Sequence, residues 1–176
     1  MRSHYNIGLD SNCYTYLIDV MSNLQQPTDP LAEQRIALFR TFLYRKDGLW
    51  LTPTLRKEFA AIPSIDRSAF HSSWTCLFPE TQPIDQRRIE IRVLDLNKLH
   101  SDIGDCHILA EAEDAGLNGL LTFDNGFISK LSSHTQVSLQ RPVEFWNSLG
   151  IPRGATPVTF PRTDNAMLAE NWWCWI

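Results

Sequence analysis

The chain has 176 residues, of which 43% are hydrophobic and 20% charged, and its formal net charge at pH 7 is −4. These values are ordinary for one compact globular domain. The negative charge argues against affinity for nucleic acid through a broad basic field, although a locally acidic site can act on a phosphate substrate once bound cations reverse its charge.

Membrane insertion and disulfide bonding are not indicated. No apolar run approaches the ~20 residues needed to span a bilayer, and the N-terminal segment lacks a signal-peptide core. We therefore expect a cytoplasmic protein that makes no membrane contact. The cysteines show no C-x-x-C spacing, so neither a zinc knuckle nor a disulfide framework is predicted. Cys106 and His107 are neighbours on a predicted helix, where side chains point about 100° apart and cannot pair.

The chain begins with a strand and two helices. Tyr5 to Leu9 is a short apolar run that ends at Asp10, and Ser11 and Asn12 are suited to capping the helix that follows. Asp29 and Pro30 then predict a second helix through a cap and a first-turn proline, and Gly48 ends it.

The second strand leads into a helix with an unusual acid. Leu49 to Leu51 is the strand, and Thr52 with Pro53 predicts the helix start. Glu58 falls inside the apolar stripe of that helix, where a lone carboxylate is costly unless it is paired or binds a metal. A salt bridge, to Arg56 or to an arginine of another element, explains Glu58 as well as a metal does.

Two further segments precede the next acidic motif. Pro63 ends the helix that contains Glu58, and Ser64 caps the next helix. The segment Asp85 to Leu99 alternates like a strand but also fits helical spacing, and we favour the helix.

The segment Asp102 to Phe127 predicts a helix, a turn and a buried strand. The apolar stripe opens at Asp105, whereas Asp102 is typical of an N-cap. Leu120 to Phe123 forms the strand, which ends at Asp124. Asp124 also precedes Asn125 and Gly126, so turn chemistry is an alternative to a functional role.

A final strand at Gln136 to Leu139 and a helix from Pro142 complete a predicted domain of residues 1–150. Residues 151–176 form a proline-containing extension with three tryptophans near its end. Exposed tryptophans are unfavourable, so we expect the extension to pack on the domain or on a partner subunit.

The alternation of elements predicts an α/β fold with three α/β/α layers and a central, mostly parallel sheet of four or five strands. Asp10, Glu58, Asp105 and Asp124 occupy comparable positions, and the carboxyl ends of parallel strands meet at one edge of a sheet. Oxygen ligands without His or Cys favour Mg²⁺ or Mn²⁺.

This order of motifs resembles the PIN-domain nucleases, including the VapC-type toxin ribonucleases. The resemblance spans roughly Ile7 to Leu149. The matching motifs are I-G-L-D-S-N at Asp10, L-T-P-T-L-R-K-E at Glu58, D-C-H-I-L-A-E-A at Asp105, L-L-T-F-D at Asp124 and R-P-V-E-F-W in the closing helix.

The resemblance implies that these acids hold Mg²⁺ or Mn²⁺, while Asn12 and Thr122 shape the site. It implies an endoribonuclease that cleaves single-stranded RNA, with an antitoxin and a second copy of the chain as candidate protein partners. Arg56, Lys57 and Lys130 are candidates for holding the phosphate backbone, although solvated helix surface is the better explanation of each one taken singly.

Several alternatives remain at this stage. A nuclease of the same fold that acts on DNA is one, and a non-catalytic PIN-like module that binds RNA or protein is another. A haloacid-dehalogenase domain expects a second Asp where Asn12 stands, and a response regulator expects an early acidic pair that is absent.

Overall fold

The computed structural model describes residues 5–23, 25–45, 48–160 and 166–176. Its centre is a four-stranded, all-parallel sheet in the order β2-β1-β3-β4. The strands are β1 (Ile7–Leu9), β2 (Leu49–Trp50), β3 (Gly119–Leu121) and β4 (Ser138–Gln140). Ile7 lies opposite both Leu49 and Gly119, which sets the register at the centre of the sheet.

Eight α-helices are present in the described residues, together with short 3₁₀ turns. The helices are α1 (Ser11–Ser22), α2 (Ala32–Tyr44), α3 (Pro53–Ala60), α4 (Ile65–Trp74), α5 (Gln86–Leu96), α6 (Ile103–Asp114), α7 (Asn125–Leu131) and α8 (Pro142–Ser148). The helix favoured for the ambiguous segment Asp85 to Leu99 is confirmed as α5. Across the described ranges, no helix combines the length and apolar character that crossing a membrane requires.

Two buried cores lie on opposite faces of the sheet. Leu9 and Leu121 belong to the core that includes α1, α2, α3 and α8. Leu120 points the other way, as alternation along a strand requires, and packs with residues of α5, α6 and α7. Gly8 faces this second core, where an added Cβ would lie 3.0 Å from Leu117 and Leu120 side-chain atoms. The predicted three-layer architecture with four strands is therefore confirmed.

Two helix boundaries differ from the sequence prediction. The Asp29 carboxylate accepts a hydrogen bond from the Leu31 backbone at 2.8 Å, so Asp29 and Pro30 form a turn before α2, which starts at Ala32. The α3 helix ends at Ala60, before the predicted stop at Pro63. The residue before a proline disfavours helical geometry, and here the helix ends earlier still.

The C-terminal segment packs on the face formed by α2 and α8. Met167 and Trp173 are 1% and 4% exposed and belong to the first core. The Trp175 ring meets the Trp146 ring edge to face, with centroids 5.5 Å apart. The division of the chain after residue 150 remains a prediction, and residues 161–165 of the extension lie outside the described residues.

Arg40 of α2 joins this segment to the domain through backbone carbonyls. Its guanidinium donates to the carbonyl oxygens of Trp172, Trp173 and Cys174 at 3.2, 3.1 and 3.0 Å. It also lies 4.9 Å from the centroid of the Trp175 ring. One planar cation thus donates to three consecutive carbonyls.

Candidate active site

Asp10 lies at the junction of β1 and α1, at the carboxyl edge of the sheet. Its backbone N–H extends the ladder by donating to the Leu121 carbonyl at 3.0 Å. Its carboxylate caps α1 by accepting from the Cys13 backbone N–H at 2.6 Å. The side chain is 3% exposed, and this burial raises the pKa of Asp10 from 3.8 to about 6 despite the hydrogen bonds to the carboxylate.

Thr122 links the ends of two neighbouring strands. It follows β3 directly and is fully buried. Its hydroxyl donates to the Asp10 carboxylate and accepts from the Asp124 backbone N–H at 3.0 Å. Thr122 therefore holds Asp10 and the backbone of Asp124 in one arrangement, which supports its predicted site-shaping role.

We expect Thr122→Val to cost about 1–3 kcal/mol of stability, because valine fills the same volume but leaves the Asp124 N–H and the Asp10 carboxylate short of a partner. Urea denaturation in metal-free buffer measures the change. Thr28→Val, at an exposed position in the loop before α2, is the control for the substitution itself. Equal effects in the two variants would contradict the linking role.

Asp102 and Asp105 have different roles at the start of α6. Asp102 is the N-cap, since its carboxylate accepts from the backbone N–H groups of Gly104 and Asp105 at 2.9 and 3.3 Å. Asp105 lies one turn further on and directs its carboxylate to His100, whose Nε2 is 2.9 Å from Asp105 Oδ2. Burial is the main cause of the raised pKa of Asp105.

Asp124 caps a helix and also belongs to a group of candidate metal ligands. Its carboxylate caps α7 by accepting from the Gly126 and Phe127 backbone N–H groups at 2.6 and 3.1 Å. It also belongs to a compact group with His100 and Asp105, in which one donor atom from each residue lies within 4.8 Å of the others. A carboxylate has enough lone pairs to cap a helix and still bind a cation.

Glu58 is set beside α6 by a second buried acid. The Glu111 carboxylate of α6 accepts from the backbone N–H and hydroxyl of Thr54 at 2.9 and 2.8 Å, which fixes the start of α3 against α6. Glu58 is half-buried one turn later, and the Ser11 hydroxyl donates to its carboxylate. Burial raises the pKa of Glu58, and the negative charge of Asp105 adds to this effect.

The Glu58 carboxylate occupies space that is open because residue 104 is a glycine. A Cβ added at this glycine would lie 2.5 Å from Glu58 Oε1 and 3.2 Å from Asp102 Oδ1. Van der Waals contact does not permit the shorter distance, so the carboxylate occupies space that any other residue at position 104 would take.

The ion pair considered for Glu58 with Arg56 is not formed, because Arg56 Nη1 pairs with Glu80 Oε2 at 2.7 Å. In the part of the chain that the structure describes, no Lys or Arg forms an ion pair with Asp10, Glu58, Asp105 or Asp124. Among the described residues, these carboxylates are therefore crowded without a paired Lys or Arg.

Asp105 is at the centre of the predicted set of acids. Its charge contributes to the raised pKa values of both Asp10 and Glu58, and the charge of Asp124 contributes to the raised pKa of Asp105. Asp10 and Glu58 lie outside the compact group of His100, Asp105 and Asp124. Asn12 is exposed on the first turn of α1, and its predicted site-shaping role remains a prediction.

His100 was missed by the sequence analysis, which expected oxygen ligands alone. It lies before the α6 cap, outside every apolar stripe and outside the matching motifs. Its position five residues before Asp105 is the one signal in the sequence, and that spacing places two side chains together only when the chain turns between them.

The residues present fit a divalent cation. Carboxylates with raised pKa values and no paired Lys or Arg are a donor set whose mutual repulsion a cation relieves. His100, Asp105 and Asp124 offer donor atoms within 4.8 Å of one another, and the charge of Asp105 acts on both Asp10 and Glu58.

No protein-family model matches this chain, and a search of curated proteins finds no match. Among solved structures, the chain is similar to a chain of VapBC-1 from nontypeable Haemophilus influenzae. The TM-score is 0.51 at 17% identity, over 77% of this chain and 97% of that chain. A likeness at this identity shows the fold, and together with the all-parallel sheet it gives this chain a PIN-like three-layer α/β/α fold.

Proposed function

We propose that this protein is a Mg²⁺- or Mn²⁺-dependent endoribonuclease that hydrolyses phosphodiester bonds of single-stranded RNA. The observation that carries the proposal is the gathering of acids around Asp105 at the carboxyl edge of a parallel sheet, without a paired Lys or Arg in the described residues. Ligands of open α/β sheets bind at this edge.

The four acids would have two kinds of role, according to their positions. Asp105 and Asp124 would hold the cation, with Asp10 and Glu58 completing its surroundings. A bound divalent cation supplies positive charge to the phosphate and acidifies a nucleophilic water. Glu58 is half-buried and has a raised pKa, which suits it to orient that water by accepting its hydrogen bond.

RNA is proposed as the substrate by analogy with the family that the motifs resemble. A single strand also reaches buried or half-buried carboxylates more easily than a duplex does. The structural likeness to VapBC-1 supports a further part of the proposal, that the protein is the toxin of a toxin–antitoxin pair. The protein partners that we propose are an antitoxin and a second copy of the chain.

Cleavage of a mixed pool of labelled RNAs and DNAs tests the activity. We expect cleavage of single-stranded RNA in Mn²⁺ and none in EDTA. Asp124→Asn should lower the rate more than about 100-fold and Asp10→Asn about 10–100-fold, since loss of a direct ligand exceeds the 10–100-fold effect of its supporting partners. Asparagine still caps a helix, so both variants should fold.

The exposed Asp66 in the first turn of α4 gives a matched control, and Asp66→Asn should cleave like the wild type. Activity that survives both site substitutions would show that the acids do not form the active site. RNA binding without cleavage would favour a non-catalytic module, and a preference for DNA would change only the substrate.

A further inference from the structure

We infer that His100 is a direct nitrogen ligand of the metal, so that the site is a mixed nitrogen and oxygen site that prefers Mn²⁺ to Mg²⁺. The inference concerns the same site and rests on the metal-binding part of the proposed function. It does not depend on which nucleic acid is cleaved.

The His100 ring is held in place from several sides. It is 6% exposed, and its centroid lies 5.4 Å from that of Phe127, whose backbone N–H is capped by Asp124. The Cys106 thiol donates to the His100 carbonyl at 3.4 Å. A buried ring fixed against α6 and α7 is preorganised, so little ordering is needed for it to act as a ligand.

The donor atoms are almost close enough to share one ion. Nε2 of His100 is 2.9 Å from Asp105 Oδ2, and donor atoms of His100, Asp105 and Asp124 lie within 4.8 Å of one another. Metal–ligand bonds of about 2.1 Å place opposite ligands about 4.2 Å apart. Small side-chain rotations therefore bring the three donors onto a common ion.

Proton balance is simple for a neutral imidazole. Nε2 is the ring nitrogen of His100 that faces the cluster, 2.9 Å from Asp105 Oδ2. A neutral ring that binds a metal through Nε2 would carry its proton on Nδ1 instead, so coordination would neither add nor remove a proton. Nδ1 is buried without a hydrogen-bond partner among the described residues, so the exchange breaks no existing bond at that atom.

The difference between nitrogen and oxygen ligands explains the expected preference for Mn²⁺ over Mg²⁺. Mg²⁺ takes oxygen ligands and retains water, whereas imidazole nitrogen binds transition-metal ions more readily. A set of carboxylates alone would not separate the two ions in this way. His100 therefore gives the site a preference that the four acids do not provide.

Pulsed EPR of the Mn²⁺-loaded wild-type protein detects a nitrogen ligand directly, without RNA and without a substitution. We expect ¹⁴N coupling of the size found for coordinated imidazole, and replacement by ¹⁵N-labelled histidine should shift it. Absence of nitrogen coupling to bound Mn²⁺ would overturn the inference, and absence of any bound Mn²⁺ would overturn the proposed function as well.

Substitution of His100 identifies the residue. In His100→Gln the Mn²⁺ affinity, from EPR titration, should fall at least about tenfold and the nitrogen coupling should disappear, whereas the Mg²⁺ affinity, from competition, should change less than about threefold. His107→Gln, on α6 and outside the cluster, should match the wild type. Equal losses for both ions would show that His100 only positions Asp105.

His100→Asn provides a second variant with the same expectations if glutamine does not fit the buried position. The nitrogen coupling of the wild type remains decisive if neither variant folds. Nitrogen coupling in a protein that cleaves no RNA would support the inference while contradicting the proposed activity, so the two failures are distinguishable.

Discussion

Asp10→Asn is expected to be more stable than the wild type at pH 8 in metal-free buffer, by about 3 kcal/mol. Folding raises the pKa of Asp10 from 3.8 to about 6, and this difference converts to that free energy at 1.36 kcal/mol per pH unit. Asparagine keeps an oxygen for the Cys13 N–H and carries no charge into the buried site.

The direction of the pH dependence follows from the raised pKa. The stability that protonated Asp10 contributes is fully present below about pH 4 and is lost as the pH rises through about 6, because the folded state holds the proton more tightly than the unfolded state. The stability of the wild type should therefore fall over this window, and the fall should be smaller in Asp10→Asn.

With Mn²⁺ added, the wild type should be more stable than Asp10→Asn. An ion that binds only the folded cluster stabilises the wild type, whereas Asp10→Asn should lose most of that response. Urea denaturation between pH 4 and pH 8, with Mn²⁺ and with EDTA, measures both effects, and Asp66→Asn serves as the charge-matched control. An undiminished Mn²⁺ response in Asp10→Asn would place the metal site elsewhere.

Trp173→Ala should lower the free energy of unfolding by about 3–5 kcal/mol, the usual cost of truncating a buried tryptophan. The ring is 4% exposed, and its Nε1–H donates to the Met167 carbonyl at 3.1 Å. The substitution removes a side chain from the first core and the hydrogen bond that this ring donates. For a chain of this size, a loss of this magnitude lowers the melting temperature by roughly 10 °C.

Ile176→Ala is the control for the C-terminal segment, since Ile176 is 73% exposed and should contribute little. Circular dichroism and proteolysis report on stability and on release of the segment, respectively. Similar melting temperatures for Trp173→Ala and the wild type would show that the segment does not contribute to the fold.

Much of the fold could be predicted from the sequence because its signals are local. Apolar runs that end at Asp10 and Asp124 indicated strands, and Ser64 and Asp102 indicated helix starts through the capping bonds that the structure contains. The order of the strands was not accessible in this way. It depends on pairing between Ile7 and Gly119, which are distant in sequence.

Part of the candidate site could also be predicted from local signals in the sequence. The four acids follow local motifs, but the position of His100 depends on how the chain turns into α6 and packs against Phe127. Ser11 is another example, since it was predicted as a cap and instead donates to Glu58 from a different helix. Such contacts between elements leave no periodic signal in the sequence.

Because Gly104 leaves space for the Glu58 carboxylate, the presence of all four acids in a related chain does not by itself show that the site is intact. A methyl group there would meet Glu58 Oε1 at 2.5 Å, and the end of a glutamate side chain moves aside easily, so the fold would survive while the carboxylate left its place. A homologue could thus retain all four acids and still lose the site through one added carbon. Inactive members of such a lineage would be recognised by the residue at this position before any acid was lost.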